Sequence, residues 1–402
     1  MPVFYKMSRN ILILECGRGF GGALTSLKVF VDEIDPASGV KIHLLTGYDQ
    51  DLIQKGGSVV CTGVIPRHRL YGPQSPVEKG LIRLFAKGAG HMAFLLDLMF
   101  SGWIYALRIF IYIRRHHIDV LHLNNSILIN DYGIVAGFLA QRKVLVQVRA
   151  PEYPSKIAKW LALMVDHFLP VSGFVRSSLN ALGIAKNAVS IVPEGLNVDG
   201  FVQATARLQE LPHDMPVSQH GPVIGMVGCL VPWKGHGVFL EACARVLKQT
   251  RAEIYIAGET PDDDPGYKND LLDQALALGI SDHIHFLGHC PNVAPVMNAC
   301  DIMVHASTSP EPFGRVILEA MALGKPVVAT AAGGPAEVID HGKDGILVSP
   351  GDAKAMARAI LKLMSDDSLR HHMGKAAAQK VSSVYSAENH AHIILKQYGI
   401  TR

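Results

Sequence analysis

The chain has 402 residues, of which 49% are hydrophobic and 18% charged, and at ~150 residues per domain it can fill two hydrophobic cores. The low charge and the absence of long low-complexity or like-charge runs exclude disordered and fibrous classes. The 38 basic and 35 acidic residues leave a net charge of +3, which is too balanced to indicate a nucleic-acid-binding protein.

Cysteine usage and the N-terminus indicate the compartment. Six cysteines stand at positions 16, 61, 229, 243, 290 and 300, with no Cys-x-x-Cys pair, a spacing typical of a reducing compartment. The first apolar run, residues 11–14, is too short for the core of a secretory signal. We therefore expect a cytoplasmic protein that is not exported.

Short apolar runs alternate with helical patterns through the first half. The runs predicted to be strands are residues 11–14, 42–45, 59–64, 120–123, 144–148, 168–171 and 189–192. This alternation is typical of a parallel sheet with helices on both faces. Such sheets bind ligands at the carboxyl ends of their strands, so functional residues are expected in the strand-to-helix loops.

A glycine-rich loop follows the first predicted strand. Its glycines, among them Gly21 and Gly22, would let backbone amides approach an anion at the start of the next helix. Gly17, Gly19 and Gly22 fit a Gly-x-Gly-x-x-Gly spacing, but no acidic residue ends the second strand, so a dinucleotide site is only weakly indicated. A tight turn without a ligand is the alternative.

Residues 66–118 carry eight basic and two acidic residues, a local charge of +6 that leaves −3 for the rest of the chain.

Residues 94–113 are mostly apolar and, as a helix of ~30 Å, would be long enough to cross a bilayer. A crossing would place the two halves of one sheet on opposite sides, so we expect an amphipathic helix instead. Its narrow polar stripe comprises Asp97, Ser101, Arg108 and Arg115.

This helix predicts peripheral contact with an anionic membrane surface, because a wide apolar arc and local positive charge occur together. The basic residues expected to meet the lipid are Arg67, Arg69, Arg83 and Lys87. The alternative is a core helix whose second face meets neighbouring helices or a second copy of the chain.

Residues 199–222 are polar and without periodicity, which predicts a linker. The strand and helix alternation then resumes, with predicted strands at residues 223–227, 254–257, 284–287, 302–304, 327–329 and 346–348. The pattern predicts two doubly wound α/β domains with a ligand crevice between them.

The segment around residues 309–323 is the most informative of the second half. Residues 316–323 are apolar except for Glu319, and a carboxylate in a buried helix needs a partner. Glu311 precedes the helix, so both carboxylates and the helix-start amides can converge on one polar ligand. Those amides belong to Phe313, Gly314 and Arg315. Carboxylates suit sugar hydroxyls and the amides suit phosphate. Alternatively, Glu319 pairs with a buried arginine and Glu311 is a surface residue.

Lys234 lies just before a helix, after the first strand of the second half. Its charge and the helix amides could bind a phosphate, while a solvated lysine is the alternative.

Two segments rich in acidic residues or histidine do not predict metal sites. The acidic segment, Asp262, Asp263 and Asp264, is expected to be a solvated loop. The other segment, with His283, His285, His289 and Cys290, lacks a further pair of ligands. No metal or cofactor is expected.

Together these residues resemble the family 4 retaining glycosyltransferases of the GT-B fold, also called glycosyl transferases group 1. The resemblance rests on the Glu-x7-Glu pair Glu311 and Glu319, on Gly-x-Leu-x-Pro-x-Lys-Gly at residues 228–235, and on Gly-Gly-Pro-Ala-Glu-Val at residues 333–338. Residues 286–289 and 192–199 and the pair Gly21-Gly22 add to it. It covers nearly the whole chain and is most specific from 223 to 350.

The resemblance implies a nucleotide-diphosphate sugar donor held mainly by the second half. Glu319 would bind the ribose, and Glu311 with nearby amides the sugar hydroxyls. Lys234 and Gly22 would bind the diphosphate, and His289 would lie near the base. The residues expected to bind the donor are Gly21, Gly22, Lys234, Glu311, Phe313, Gly314, Arg315, Val316 and Glu319.

The chain departs from the family pattern at two positions. Cys229 stands where the family usually has arginine, which leaves Lys234 less help with the diphosphate. Asn124 stands where the family usually has a histidine, and an amide cannot exchange a proton near neutral pH. We expect Arg149, after the predicted strand 144–148, to supply positive charge. The predicted catalytic residues are Glu311, Lys234, Asn124 and Arg149.

The sequence thus predicts two Rossmann-like domains of a GT-B enzyme. Residues 1–198, with 386–402 returning to them, form the expected acceptor domain, and residues 199–385 the donor domain. The expected enzyme moves a hexose from a UDP- or GDP-sugar to a glycan or lipid-linked acceptor, in bacterial polysaccharide or glycolipid synthesis at the inner face of the cell membrane. The alternatives are a catalytically silent nucleotide-sugar-binding protein and a GT-B sugar-nucleotide epimerase.

Overall fold

The computed structural model describes residues 9–16, 22–46, 58–64, 102–207, 215, 221–261 and 266–400. The chain divides into two compact units, Met1–Val192 with Ala391–Arg402, and Pro193–His390. Several residues singled out above lie outside the described ranges. They are Gly17, Gly19, Gly21, Arg67, Arg69, Arg83, Lys87, Asp97, Ser101 and the triplet at 262–264.

The first unit is built on a parallel sheet with strand order β3-β2-β1-β4-β5-β6. Its strands are β1 (Arg9–Glu15), β2 (Val40–Thr46), β3 (Val59–Val64), β4 (Val120–Asn124), β5 (Lys143–Val148) and β6 (His167–Pro170). Its described helices are α1 (Gly22–Asp32), α2 (Trp103–Arg115), α3 (Asp131–Leu139), α4 (Lys156–Ala162) and α5 (Gly173–Leu179).

One side of this sheet is covered by α1 and by the end of the chain. Leu27 and Phe30 of α1 pack with Ile394 and Tyr398 near the C-terminus in one buried cluster that includes Ile11 of β1. The Tyr398 hydroxyl also lies 2.6 Å from Nδ1 of the buried His122. Ile394 and Tyr398 therefore belong to the core of the first unit.

The predicted strand at residues 189–192 is wrong. Val189 forms only an isolated bridge with Phe168, although the amides of Ser190 and Val192 donate to the carbonyls of Phe168 and Pro170 at 3.0 and 2.9 Å. Pro170 has no N–H group to return a hydrogen bond, so the ladder stops there. The segment runs along the sheet edge without becoming a strand.

The second unit has a parallel sheet with strand order β12-β11-β10-β7-β8-β9. Its strands are β7 (Val223–Val227), β8 (Glu253–Ala257), β9 (Ile284–Gly288), β10 (Ile302–His305), β11 (Val327–Thr330) and β12 (Ile346–Val348). Its described helices are α6 (Val198–Ala204), α7 (His236–Leu247), α8 (Tyr267–Ala277), α9 (Ala294–Ala299), α10 (Arg315–Ala322), α11 (Pro335–Val338), α12 (Ala353–Ser365) and α13 (Asp367–Val384). Helix α14 (Ala387–Gln397) follows and continues into the first unit.

The predicted linker at residues 199–222 is partly wrong, because α6 occupies its first residues. The Asn197 side chain caps this helix by accepting a hydrogen bond from the Gly200 amide at 2.9 Å. Asparagine is a favoured N-cap residue, so the local signal for this short helix was present in the sequence.

Both sheets are doubly wound: the order in which successive strands are added to the sheet reverses between two central strands, while all strands stay parallel. That reversal lies between β1 and β4 in the first unit and between β7 and β10 in the second. Ligands of such folds bind where strands end at this reversal. No helix in the described part of the chain combines the length and hydropathy needed to span a bilayer.

Candidate functional site

The main polar cluster of the second unit lies beyond the ends of β7 and β10. The Lys234 ammonium donates a hydrogen bond of 2.6 Å to Oε2 of Glu311, and both side chains are largely buried. The same ammonium lies 4.3 Å from the ring centroid of Trp233. The alternatives in which Lys234 is a solvated cation and Glu311 a surface residue are therefore wrong.

Two further side chains hold the Glu311 carboxylate. Ser307 donates to Oε2 at 3.2 Å, and Nε2 of the buried His305 lies 3.4 Å from the same oxygen. Burial disfavours ionisation of Glu311, but the hydrogen bond from His305 and the charge of Lys234 outweigh it and lower its pKa to about 2. The site thus favours the ionised form of Glu311 beside Lys234 near neutral pH.

The backbone around Glu311 is fixed by the glycine pair after β11. Gly334 donates its amide to the Glu311 carbonyl at 2.8 Å. A Cβ on Gly333, whose φ is +75°, would lie only 2.2 Å from that carbonyl oxygen. The position therefore requires glycine both for its conformation and for its close approach, and this explains the Gly-Gly motif.

Helix α10 presents the N-terminus on which the expected amides lie. The amides of Phe313, Gly314, Arg315 and Val316 are at or before its first turn, where intrahelical partners are lacking. The Phe313 ring is buried and stacks edge-on against Tyr385 at 6.0 Å. Of Phe313, only the backbone is placed for a ligand.

Glu319 pairs with an arginine, Arg315, as the alternative interpretation of its buried carboxylate predicts. Arg315 Nη2 lies 3.6 Å from Glu319 Oε1, and Arg315 Nη1 lies 3.6 Å from Glu194 Oε2 and donates to the Gly195 carbonyl at 3.3 Å. Burial raises the pKa of Glu319, and the Arg315 charge opposes that shift. The Arg315 side chain thus organises Glu319, while its amide stays at the helix start.

The loop that carries Lys234 is tied to the loop after β10. Thr308 donates its amide to the Trp233 carbonyl at 2.8 Å. A Cβ on Gly235, whose φ is +78°, would lie 2.0 Å from the Ala306 carbonyl oxygen. Cys229, in the same loop, has an exposed side chain whose Sγ donates to the Glu259 carbonyl at 3.4 Å.

The first unit brings Asn124 and Arg149 together at the ends of β4 and β5. Arg149 Nε donates to Asn124 Oδ1 at 2.8 Å. The Asn124 amide nitrogen donates to Glu15, the residue beside it in the β1–β4 register, and the Asn125 amide donates to the same carboxylate. Gly22, the expected diphosphate residue of this unit, is exposed at the first position of α1.

Sequence reasoning missed Glu15. Glu15 is only 2% exposed because it ends a strand buried in the middle of the sheet. An acidic residue closing an apolar run was a usable signal, but its partners become visible only when β1 and β4 pair.

The histidines of residues 283–289 do not converge with Cys290 on one point. Within the described ranges, no group of three or more His, Cys, Asp or Glu is arranged to hold a metal ion. His285 instead bonds Glu253 across β8 and β9 at 2.8 Å, which gives it a structural role.

A model of the family "Glycosyl transferases group 1" matches residues 209–380. This region contains Lys234, Glu311, Arg315 and Glu319 in the contacts described above. Residues 209–380 belong to the glycosyl transferases group 1 family.

Two curated relatives of this glycosyltransferase family match part of the chain. D-inositol 3-phosphate glycosyltransferase of Corynebacterium jeikeium is 38% identical over 210 residues, covering 50% of each chain. The lipopolysaccharide core biosynthesis glycosyltransferase LpsE of Rhizobium meliloti is 34% identical over 167 residues, covering 42% of this chain and 46% of LpsE. The chain thus spans about half the length of the curated relatives it matches.

Solved glycosyltransferase structures match nearly the full chain. HepE of Anabaena, in complex with UDP and glucose, superposes with a TM-score of 0.77 at 22% identity, covering 98% of this chain and 100% of that one. A glycosyltransferase of Rickettsia africae superposes with a TM-score of 0.76 at 21% identity, covering 97% of this chain and 98% of that one. These likenesses confirm the predicted α/β fold of GT-B type with two Rossmann-like domains.

Proposed function

We propose that this protein is a retaining hexosyltransferase that uses a UDP- or GDP-sugar and acts on a glycan or lipid-linked acceptor. The observation that carries the proposal is the ionised Glu311 held against Lys234 at the start of α10. An anion-binding cation and a hydroxyl-binding carboxylate side by side match the two chemically different parts of a sugar diphosphate.

Donor binding would use groups that already contact each other. The Lys234 ammonium and the amides of the α10 N-terminus offer positive charge to the diphosphate, in the place where other enzymes use a divalent cation. Glu311 accepts hydrogen bonds from sugar hydroxyls, and Glu319, held by Arg315, accepts them from the ribose. The UDP and glucose bound by HepE and the UDP-glucose of a further HepE complex support a nucleotide-sugar donor.

The proposed chemistry needs positioning and charge more than a nucleophile. The bond between the anomeric carbon and the diphosphate oxygen breaks, the acceptor oxygen bonds on the face that the leaving group vacates, and the leaving phosphate takes the acceptor's proton. Asn124, oriented by Glu15 and Arg149, would hold a hydroxyl or the leaving oxygen without exchanging a proton. Arg149 would supply the positive charge that a histidine at position 124, usual in the family, would otherwise provide.

The names of the relatives support a biosynthetic setting. LpsE is named for lipopolysaccharide core biosynthesis and the Corynebacterium protein for glycosylation of an inositol phosphate. We place this protein in bacterial cell-surface polysaccharide or glycolipid synthesis, in the cytoplasm and against the inner face of the membrane.

Binding and turnover of candidate donors test the proposal. Thermal shift with UDP-, GDP- and ADP-sugars should identify one donor that raises the unfolding midpoint, because a ligand of the native state alone stabilises it. Hydrolysis or transfer of that donor should follow and should be abolished by Glu311→Ala. The exposed Glu241 on α7 offers a matched control, and Glu241→Ala should behave as wild type.

The outcomes separate the proposed enzyme from its main alternative. The departures at Cys229 and Asn124 favour a silent nucleotide-sugar-binding protein as the second candidate. A donor-dependent shift with no hydrolysis or transfer by the wild type would support that alternative and contradict the enzyme.

A further inference from the structure

A largely buried arginine of the second unit lies between two glutamates. Arg315 Nη1 lies 3.6 Å from Glu194 Oε2, and Arg315 Nη2 lies 3.6 Å from Glu319 Oε1. The side chains of Arg315 and Glu319 are each 14% exposed, and that of Glu194 is 5% exposed. One guanidinium therefore faces two carboxylates at the same distance. The proposed donor binding uses Arg315 and Glu319 but gives Glu194 no role.

The Glu319 carboxylate keeps its hydrogen-bond acceptor sites available. Within the described ranges, no group donates a hydrogen bond to it, although Arg315 lies one helical turn earlier. The 3.6 Å between Arg315 Nη2 and Glu319 Oε1 is longer than the ~2.7–2.9 Å of a hydrogen bond from a guanidinium to a carboxylate. The lone pairs of Glu319 can therefore accept hydrogen bonds from the hydroxyls of a ligand.

Two groups outside α10 hold the guanidinium back from Glu319. Arg315 Nη1 donates to the Gly195 carbonyl at 3.3 Å, and the neighbouring Glu194 carboxylate supplies a competing negative charge. An arginine and a glutamate four residues apart on a helix otherwise tend to pair, and a guanidinium binds a carboxylate best with two parallel hydrogen bonds. The contacts with residues 194–195 oppose that pairing because they engage Nη1.

The segment that carries Glu194 is itself fixed. The Pro193 carbonyl accepts a hydrogen bond of 2.6 Å from Nδ1 of His390. A Cβ on Gly195 would lie 2.5 Å from the Cβ of His390, so the backbone on both sides of Glu194 packs closely against this histidine. Glu194 therefore cannot follow Arg315 towards α10 without breaking these contacts.

We infer that Glu194 is a positioning residue for ribose recognition, which shares the Arg315 guanidinium and thereby keeps the Glu319 carboxylate available to the hydroxyls of a nucleotide ribose. Without the Glu194 charge, Arg315 closes onto Glu319 and occupies the oxygens that the ribose uses. The inference rests on the proposed function, in which Glu319 binds the ribose, and it adds a residue from the segment before α6 to the donor site.

Affinity for nucleotides with and without ribose hydroxyls tests the inference. The probes are UDP, GDP and their 2′,3′-dideoxy analogues, and isothermal titration calorimetry measures their binding to the full-length protein. Wild type should bind UDP or GDP about 10–100-fold more tightly than the matching dideoxy analogue, as expected for hydrogen bonds to a charged group. Glu194→Gln should reduce that ratio about fivefold or more, because Arg315 then hydrogen-bonds Glu319. Its affinity for the dideoxy analogue should not fall.

A double variant tests whether Glu194 acts through Glu319. Glu319→Gln should itself remove most of the preference for the ribonucleotide. Adding Glu194→Gln to it should lower the ratio no further, because two residues that act through one contact are not additive.

Controls separate this role from general damage to the site. Glu253 is another largely buried glutamate of the second unit and contacts His285 at 2.8 Å, so Glu253→Gln should keep the wild-type ratio. Glu194→Ala removes the side chain's hydrogen-bonding capacity altogether and should lose at least as much of the ratio as Glu194→Gln. Circular dichroism and the unfolding midpoint verify that each variant is folded. General damage would weaken both members of a nucleotide pair and leave their ratio unchanged.

Failure of the inference is distinguishable from failure of the proposed function. Wild type that prefers the ribonucleotide, with folded Glu194→Gln and Glu194→Ala keeping the same ratio, would overturn the inference and leave the proposed donor standing. A double variant that loses clearly more than Glu319→Gln would also overturn it. Wild type that binds neither UDP nor GDP would contradict the proposed donor together with the inference. Equal binding of a nucleotide and its dideoxy analogue by wild type would overturn the ribose contact and the inference, but not the diphosphate contact.

Discussion

At the scale of single residues, the proposed donor site is organised by one ion pair. Lys234 and Glu311 each satisfy the other's charge at 2.6 Å, and removing one member of a buried pair leaves the other uncompensated. Residue type alone pointed to both side chains, but only the fold shows that His305 and Ser307 share the same carboxylate oxygen.

Lys234→Ala should remove both the donor-induced thermal shift and turnover, with kcat/KM falling about 10²–10³-fold. The variant should also raise the pKa of Glu311, because the lysine charge helps to keep it low. Steady-state kinetics with the donor identified by thermal shift measure the loss. Lys248→Ala, at an exposed position after α7, is the control, and a turnover loss of the same size there would contradict the assignment.

Arg149→Ala should lower kcat about 10–100-fold, since the Asn124 amide loses a charged donor that fixes its orientation. Arg149→Lys should recover little, because an ammonium cannot reproduce the planar guanidinium geometry. Donor KM and kcat are to be measured together, with Arg245→Ala on the exposed face of α7 as control. Donor affinity and turnover unchanged in Arg149→Ala would remove this residue from the mechanism.

At the scale of secondary structure elements, the sequence patterns were informative where the formation of a strand or helix depends mainly on its own residues. Apolar runs predicted every described strand of both sheets. The error at residues 189–192 arose because the partner strand contains Pro170, and the error at α6 arose because seven residues are too few to show a helical period, although the Asn197 cap was visible. Contacts between elements, such as Glu15 with Asn124, have no local pattern to reveal them.

The loop before α10 gives a test of close packing. Gly333→Ala should lower the free energy of unfolding by about 3 kcal/mol and reduce turnover, because its Cβ would collide with the Glu311 carbonyl. Gly351 has nearly the same φ, +77°, but a Cβ there would have no neighbouring atom within 4 Å. Gly351→Ala should therefore cost only about 1 kcal/mol. Urea denaturation of both variants makes the comparison, and equal losses would contradict a steric role for Gly333.

At the scale of the whole molecule, stability should depend on pH through a buried histidine. His236 is fully buried at the start of α7, and burial lowers its pKa to about 4, with the Lys234 charge adding to the effect. Below pH ~6.5 the unfolded chain binds a proton that the folded chain does not. Stability is thus complete above pH ~6.5 and falls by up to about 3 kcal/mol as the pH drops towards 4.

His236→Leu should lack this part of the pH dependence. Urea denaturation at pH 7.5, 6 and 4.5 should show the stability difference between wild type and variant shifting in favour of the variant as the pH falls. A difference that stays constant over this range would show that His236 is protonated equally in the folded and unfolded chains.

The ion pair between Lys234 and Glu311 also has a consequence for the order of events in the proposed catalytic cycle. In that proposal a nucleoside diphosphate would attract Lys234 away from Glu311 but offer that carboxylate no hydroxyl in return, whereas a complete nucleotide sugar would satisfy both. Once the sugar has left, re-forming the 2.6 Å contact between Lys234 and Glu311 competes with the spent nucleotide. The pair would thereby favour product departure, and inhibition by the nucleotide product would be weaker than the affinity for the intact donor.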